Sequence, residues 1–311
     1  MKNVVVKYSL LCVISVILFV ICIFGLSSCS SKDYVNNSYT IDEDFESISI
    51  DTETADVVFI KSEDGRCRVE CFEHKNMKHS ASVSNGTMNI KGVDTRKWHQ
   101  KIFGGKATSV TVYLPDTAYK SLVLNNDTGD VTIHKDFSFD SIDISASTGN
   151  ISCFASASGE VNISLSTGNI NIENITAGSL SLSCSTGDIT VSNVNCLGDV
   201  NMSLSTGDLT VSSLNCKNFT ADGSTGNKSL NSVIASEKLK VTSSTGDINF
   251  NSCDASEIYM ESSTGDIKGS FLTEKIIFAE TDTGKHDVPK FTTGGRCDIT
   301  TSTGDIKITI G

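Results

Sequence analysis

Residues 160–216 read EVNISLSTGNINIENITAGSLSLSCSTGDITVSNVNCLGDVNMSLSTGDLTVSSLNC, three passes of one pattern through the same Ser-Thr-Gly. Extending outward, a Thr-Gly pair recurs at Gly129, Gly149, Gly168, Gly187, Gly207, Gly226, Gly246, Gly265, Gly284 and Gly304, always 19 or 20 residues apart. With each Gly as position zero, minus seven, minus five and minus three are apolar or small, as in Val161, Ile163, Leu165 and in Leu180, Leu182, Cys184. Plus two and plus four repeat the alternation, as in Ile170 and Ile172, Ile189 and Val191, Leu209 and Val211, Ile306 and Ile308. A further apolar column falls at plus seven: Ile175, Val194, Leu214, Val233, Leu272 and Phe291.

Period-two alternation is the mark of a strand with one buried face. Each repeat thus supplies two short strands and a third inward contact around a turn, an apolar set that no single repeat can bury alone. The expected fold is an all-β solenoid, a β-helix or β-roll of about ten coils. At ~3.3 Å per residue one repeat has a contour of roughly 64 Å, and ten coils at ~4.8 Å make a rod of roughly 48 Å. The Gly suits a positive-φ turn position, with the preceding Ser and the following Asp or Asn bonding the turn backbone. Gly-Asp between alternating runs is also a hairpin signal, which leaves a β-sandwich as the alternative, and the constant spacing favours the solenoid. Two coils break the pattern and are expected to bulge or shift register: Gly226, with Lys228 and Gly223, and Gly284, with Lys285 and His286.

Residues 45–120 lack the Thr-Gly pair but keep strand patterning and are expected to form a divergent N-terminal cap on a solenoid spanning 121–311. Ile48, Ile50, Thr52, Ala55, Val57 and Phe59 fit the repeat with Ala in place of Gly, a degenerate first coil. Cys67, Val69 and Cys71 make another alternating strand, Asn85-Gly86 is a hairpin turn, and Val110, Val112 and Leu114 end at Pro115. A basic, aromatic stretch from Arg96 to Lys106 interrupts the cap and holds Trp98, the single Trp. Arg96, Trp98 and Lys101 form a candidate binding loop for an acidic or sugar-containing ligand.

Lys2 and Lys7 precede an apolar run, Leu10 to Leu26, broken only by Ser15. This order of basic flank and apolar segment is that of an exported protein, and residues 1–29 are expected to be a signal peptide or membrane anchor, with 30–44 a linker. Leu26-Ser27-Ser28-Cys29 resembles the bacterial lipoprotein cleavage box, in which Cys29 would carry the lipid. An uncleaved transmembrane helix is the other reading. Both tether the body to the extracytoplasmic face of the cell membrane.

The lead-in Thr111-Val112-Tyr113-Leu114-Pro115, the strand Ser121-Leu122-Val123-Leu124 and the Ser-Thr-Gly-Asp-Ile repeats resemble the bacterial putative-adhesin family of β-strand-repeat proteins, over residues 45–311. The resemblance implies an envelope-associated, non-catalytic domain, with some relatives linked to envelope-stress regulation. Two functions follow as expectations: an adhesin-like or structural envelope module binding through a repetitive surface, and a sensory module acting through a membrane partner.

A formal net charge of −12 argues against nucleic acid as partner, since phosphate binding needs a clustered basic surface. The expected partners are the membrane and an envelope glycan, peptide or protein. No nucleophile elbow or phosphate loop is present, and His74, His79, His99, His134 and His286 show no metal-ligand spacing. A polysaccharide-active β-helix enzyme is the least favoured reading, because the strand faces carry Ser, Thr and Asn rather than clustered carboxylates and Arg. No organic cofactor is expected. The plus-one column contains Asp188, Asp208, Asp247 and Asp266, with Asn at some coils, and is either a turn-capping ladder or a calcium ladder. Eleven Cys in an exported chain suggest disulfides, yet most occupy inward columns and suit buried free thiols; Cys196 and Cys216 face each other across adjacent coils.

Overall fold

The alternation folds as expected into stacked parallel strands. The computed structural model describes residues 33–96 and 107–311, and the described residues contain strands and turns but no helix. In the coil of Gly168 the chain runs through Glu160–Thr167, turns at Gly168, continues as Ile170–Glu173, bends, and closes with Thr176–Ala177. Each side pairs in parallel with its counterpart one coil away, Val161 beside Leu180 and Ile170 beside Ile189. In-register parallel stacking sets every inward side chain on its equivalent, so one apolar core extends from Ile41 to Ile308. Asn36–Gly311 is one compact unit.

Gly is required at the turn for two reasons. Nine of the ten Thr-Gly glycines have φ between 123° and 148°, where side chains are disfavoured. A Cβ on any of these nine would also lie 1.9–2.2 Å from the carbonyl oxygen of the turn residue in the neighbouring coil. The bend after the second strand is made by a residue with φ of 52–59°: Asn174, Asn193, Ser213, Ser232 and Ser252. The Gly265 coil has no such residue, its register shifts between Phe250 and Cys253, and Phe271 pairs with Cys253. Phe271 is therefore the residue inside, stacked on Phe250 at 4.6 Å, while Leu272, expected at this column, is 49% exposed.

The Gly226 coil stays in register through its second strand, with Lys228 between Leu209 and Ile248, and shifts just after it, where Cys216 pairs with Ala235 but Asn218 with Lys238. Lys228 enters the core at 1% exposure, and its Nζ donates to the Gly226 carbonyl at 3.0 Å and to Ser243 Oγ at 2.8 Å. Gly223 makes the room, since a Cβ there would lie 2.7 Å from Lys228 Cε and Nζ. The Gly284 coil leaves the sequence order of the stack. Gly295–Thr303 and Ile306–Ile310 insert between the Gly265 coil, Glu257–Thr264 and Ile267–Phe271, and the Gly284 coil, Lys275–Thr281 and His286–Asp287. The second strand of this coil, His286–Asp287, begins with His286 at the position that is apolar in most coils, and at the end of the stack His286 remains exposed. The last strand, Ile306–Ile310, thus pairs along its length with Ile267–Phe271 and, at Ile306 and Lys307, with His286–Asp287 on its other side.

The N-terminal end has the same non-sequential order. Ser47–Thr54 and Asp56–Lys61 form the first coil, in register with Ser121–Thr128 and with Val131–Ile133, and Ala55 takes the Gly position under Gly129. Its other side is covered in parallel by Thr87–Asp94 and Ser109–Leu114. Antiparallel strands close the end: Met77–Ser84 on Thr87–Asp94 through the Asn85-Gly86 turn, and Cys67–His74 on Ser109–Leu114. Antiparallel pairing stops the stack from presenting a further template of the same kind.

Candidate functional site

The Asp and Asn column after the glycines forms a continuous ladder. Asp56 Oδ1 accepts from the Asp130 backbone N–H, Asp188 Oδ1 from Asp208, Asp208 Oδ1 from Asn227, Asp247 Oδ1 from Asp266, and Asp266 Oδ1 from Asp305. Ten such bonds of 2.7–3.1 Å run from Asp56 to Lys285. One oxygen of each side chain is thereby engaged in turn capping, a role that Asn fills as well as Asp and that explains their interchange. Asp266 has its carboxyl held below the usual range by Lys268, whose Nζ lies 2.5 Å away, and by the Asp305 N–H. At the opposite end burial raises the Asp56 carboxyl.

The bends on a second edge make a groove of about 440 Å³ across four coils. Its rim is Asn174, Asn193, Ser213 and Ser232, all in the left-handed region, with Thr176, Asn195, Asn215 and Ile234 in the column beside them and Ile175 and Val194 beneath. Asn193 Nδ2 donates to Asn174 Oδ1 at 2.6 Å, so the amides stack along the groove. Its lining contains amides, hydroxyls and aliphatic carbons and no ionisable side chain. Such a surface suits hydrogen bonding to a neutral polar polymer and has no group for acid–base chemistry. The alternation made these residues legible as outward-facing, but the groove depends on the αL bends, which only the coil geometry reveals.

Of the candidate loop, Trp98 and Lys101 lie outside the described residues, as does Cys29. Arg96 folds back onto its own strand: Nε and Nη2 donate to the two Asp94 carboxylate oxygens at 2.9 and 2.8 Å. The structure does not bring Arg96 to the groove residues.

One constellation was missed by spacing. Cys71, Glu73 and His79 are all buried in the cap, and one ligand atom from each lies within 4.8 Å of the others. His79 Nδ1 is 2.8 Å from Glu73 Oε2, and Nε2 is 2.9 Å from Thr52 Oγ1. Glu73 Oε1 accepts from Asn37 Nδ2 at 2.5 Å, and Oε2 also accepts from the His79 N–H at 2.6 Å. Burial, and then the Glu73 carboxyl, push the Cys71 thiol up to about 12. The available signal was Glu73 continuing the inward column Cys67, Val69, Cys71, a carboxylate where an apolar residue is due. All eight cysteines among the described residues are free and buried, including the stacked pair Cys196 and Cys216.

With this geometry in hand, residues 45–203 and 195–311 match the family described as Toastrack DUF4097. The chain belongs to this family. Among solved structures, a putative adhesin from Parabacteroides distasonis is similar to this Toastrack DUF4097 chain with a TM-score of 0.52 at 12% identity, covering 89% of this chain and 98% of that one. This likeness bears on the fold. A putative adhesin from Bacteroides fragilis has TM-score 0.44 and 14% identity, covering 90% of this chain and 98% of that one. A putative lipid binding protein from Parabacteroides distasonis has TM-score 0.44 and 16% identity with the same coverage, 90% and 98%. No curated protein matches the Toastrack DUF4097 chain.

Proposed function

We propose that this chain is an adhesin-like envelope module, tethered to the extracytoplasmic face of the membrane through its N-terminal apolar segment, that binds a neutral glycan or peptide along its repetitive surface. The observation that carries this reading is the uncharged groove lined by Asn193, Asn195, Ser213 and Asn215. Its rim presents amide and hydroxyl groups at the coil spacing of ~4.8 Å, so four coils offer about 14 Å of periodic donors and acceptors. An extended polymer can meet each coil with the same contact, which suits moderate affinity built from repeated bonds. The name given to the Parabacteroides distasonis neighbour, putative adhesin, agrees with this reading. The absence of an ionisable side chain from the groove lining favours binding over turnover there.

The test is binding of the full chain, purified in detergent, to intact cells, peptidoglycan and arrays of glycans and peptides. Asn195→Trp with Asn215→Trp fills the groove from two exposed strand positions without touching the core. Saturable binding that falls more than about tenfold in this variant, the equivalent of 1.4 kcal/mol, supports the proposal. Equal binding by both proteins places the ligand elsewhere. For the tether, Cys29→Ser should abolish a lipid mass adduct if the lipoprotein reading holds and leave membrane association intact if the segment is an uncleaved anchor.

A further inference from the structure

We infer that Cys71, Glu73 and His79 form a divalent metal site for zinc in the N-terminal cap. Thiolate, carboxylate and imidazole are the three donor types zinc takes from proteins. Here they converge in the apolar interior, Glu73 at 0% and His79 at 2% exposure. With Cys71 as thiolate, Glu73 as carboxylate and His79 neutral, the two negative charges cancel a divalent cation, so the filled site carries no net charge into the core. Binding releases the thiol proton and the proton shared between His79 Nδ1 and Glu73 Oε2 to solvent.

The surroundings are those of a metal site as well. A ligating imidazole donates its far N–H to a fixed acceptor, and Thr52 Oγ1 stands 2.9 Å from Nε2 on the first coil. A ligating carboxylate is itself hydrogen-bonded, and the Asn37 amide provides that bond at 2.5 Å. Gly92 leaves space for the ring, since a Cβ there would lie 3.0 Å from Nε2. Tetrahedral zinc with bonds of 2.0–2.3 Å sets its donors roughly 3.3–3.8 Å apart, so His79 Nδ1 and Glu73 Oε2, now 2.8 Å apart, open by less than about 1 Å. The ion would join Cys67–His74 to Met77–Ser84, the antiparallel strands that close the stack.

The full chain, refolded with zinc and dialysed, should retain about one zinc per chain by elemental analysis. Cobalt in its place should show a thiolate-to-cobalt charge-transfer band that disappears in Cys71→Ser and persists in Cys67→Ser, whose thiol contacts Met88 instead. Thr52→Val, which keeps all three donors, should weaken binding about 10–100-fold. Circular dichroism of each variant shows whether the strands persist. Retention of only trace zinc by the wild-type protein, or a cobalt band unchanged by Cys71→Ser, overturns the assignment and leaves a buried Glu73–His79 hydrogen-bonded pair.

Discussion

At the scale of single residues the ladder after each glycine has a simple energetic logic. Asp208 Oδ1 accepts from the Asn227 N–H at 2.7 Å, and that N–H has no strand partner at the turn. Removing the acceptor leaves the donor to water at an exposed edge, a loss of about 1 kcal/mol, whereas Asn retains an acceptor oxygen. Asp208→Ala should therefore lower the denaturation midpoint by about 1 kcal/mol, while Asp208→Asn should stay within about 0.5 kcal/mol of the parent. Equal loss in both variants would mean that charge rather than acceptance matters. Acid should weaken the ladder unevenly. The Asp266 carboxyl is held low in the folded state, so its contribution is present above its unfolded pKa and is lost as pH falls through the folded value. Asp56 is raised, so its contribution is present below the unfolded value and declines as pH rises through the folded one.

At the scale of one coil, the third residue before each glycine decides how the neighbouring turn carbonyl is met. Ser262 Oγ and Thr301 Oγ1 donate to the Gly246 and Gly265 carbonyls, and Cys184 Sγ to that of Gly168. In the Gly226 coil the Lys228 ammonium takes this role and holds Ser243 as well. Burial lowers the Lys228 pKa from its ordinary 10.5, so the folded protein binds its proton less well than the unfolded chain. Stability should accordingly rise with pH from the folded value up to 10.5. Lys228→Met preserves the volume, removes the buried charge and frees Ser243 to donate to the Gly226 carbonyl. The variant should be more stable by about 1 kcal/mol near neutral pH, with the alkaline rise abolished in urea titrations across pH. A variant destabilised by more than about 2 kcal/mol would show that Ser243 cannot replace the ammonium.

Across the whole molecule, a stack held by nearest-neighbour layers loses stability by layer rather than by sequence distance. Lys275–Thr281 and His286–Asp287 pair with Gly295–Thr303 and Ile306–Ile310, not with the preceding coil. Truncation after Gly294 should therefore release 275–287 as well, and hydrogen exchange should report lost protection there while Val200–Val211 is unchanged. Retained protection of 275–287 would mean that this coil can dock directly on the Gly265 coil.

The period, the alternation and the glycine turns were legible in the sequence because each is local: strand side chains alternate whatever lies beyond, and a positive φ beside a neighbouring carbonyl admits only Gly. Ala55 stands in the glycine column without a positive φ, legible from the flanking alternation alone, and Asn85-Gly86 read as a hairpin from its turn chemistry. Tertiary structure alone decided which layer lies next to which. Lys228 is inside because Gly223 vacates space next to it, Phe271 replaces Leu272 because its coil lacks the αL bend, and the Gly284 coil sits at the end because the Gly304 coil pairs between it and the Gly265 coil. The meeting of Cys71, Glu73 and His79 likewise depends on antiparallel pairing across a cap, a property of which strands touch rather than of any spacing along the chain.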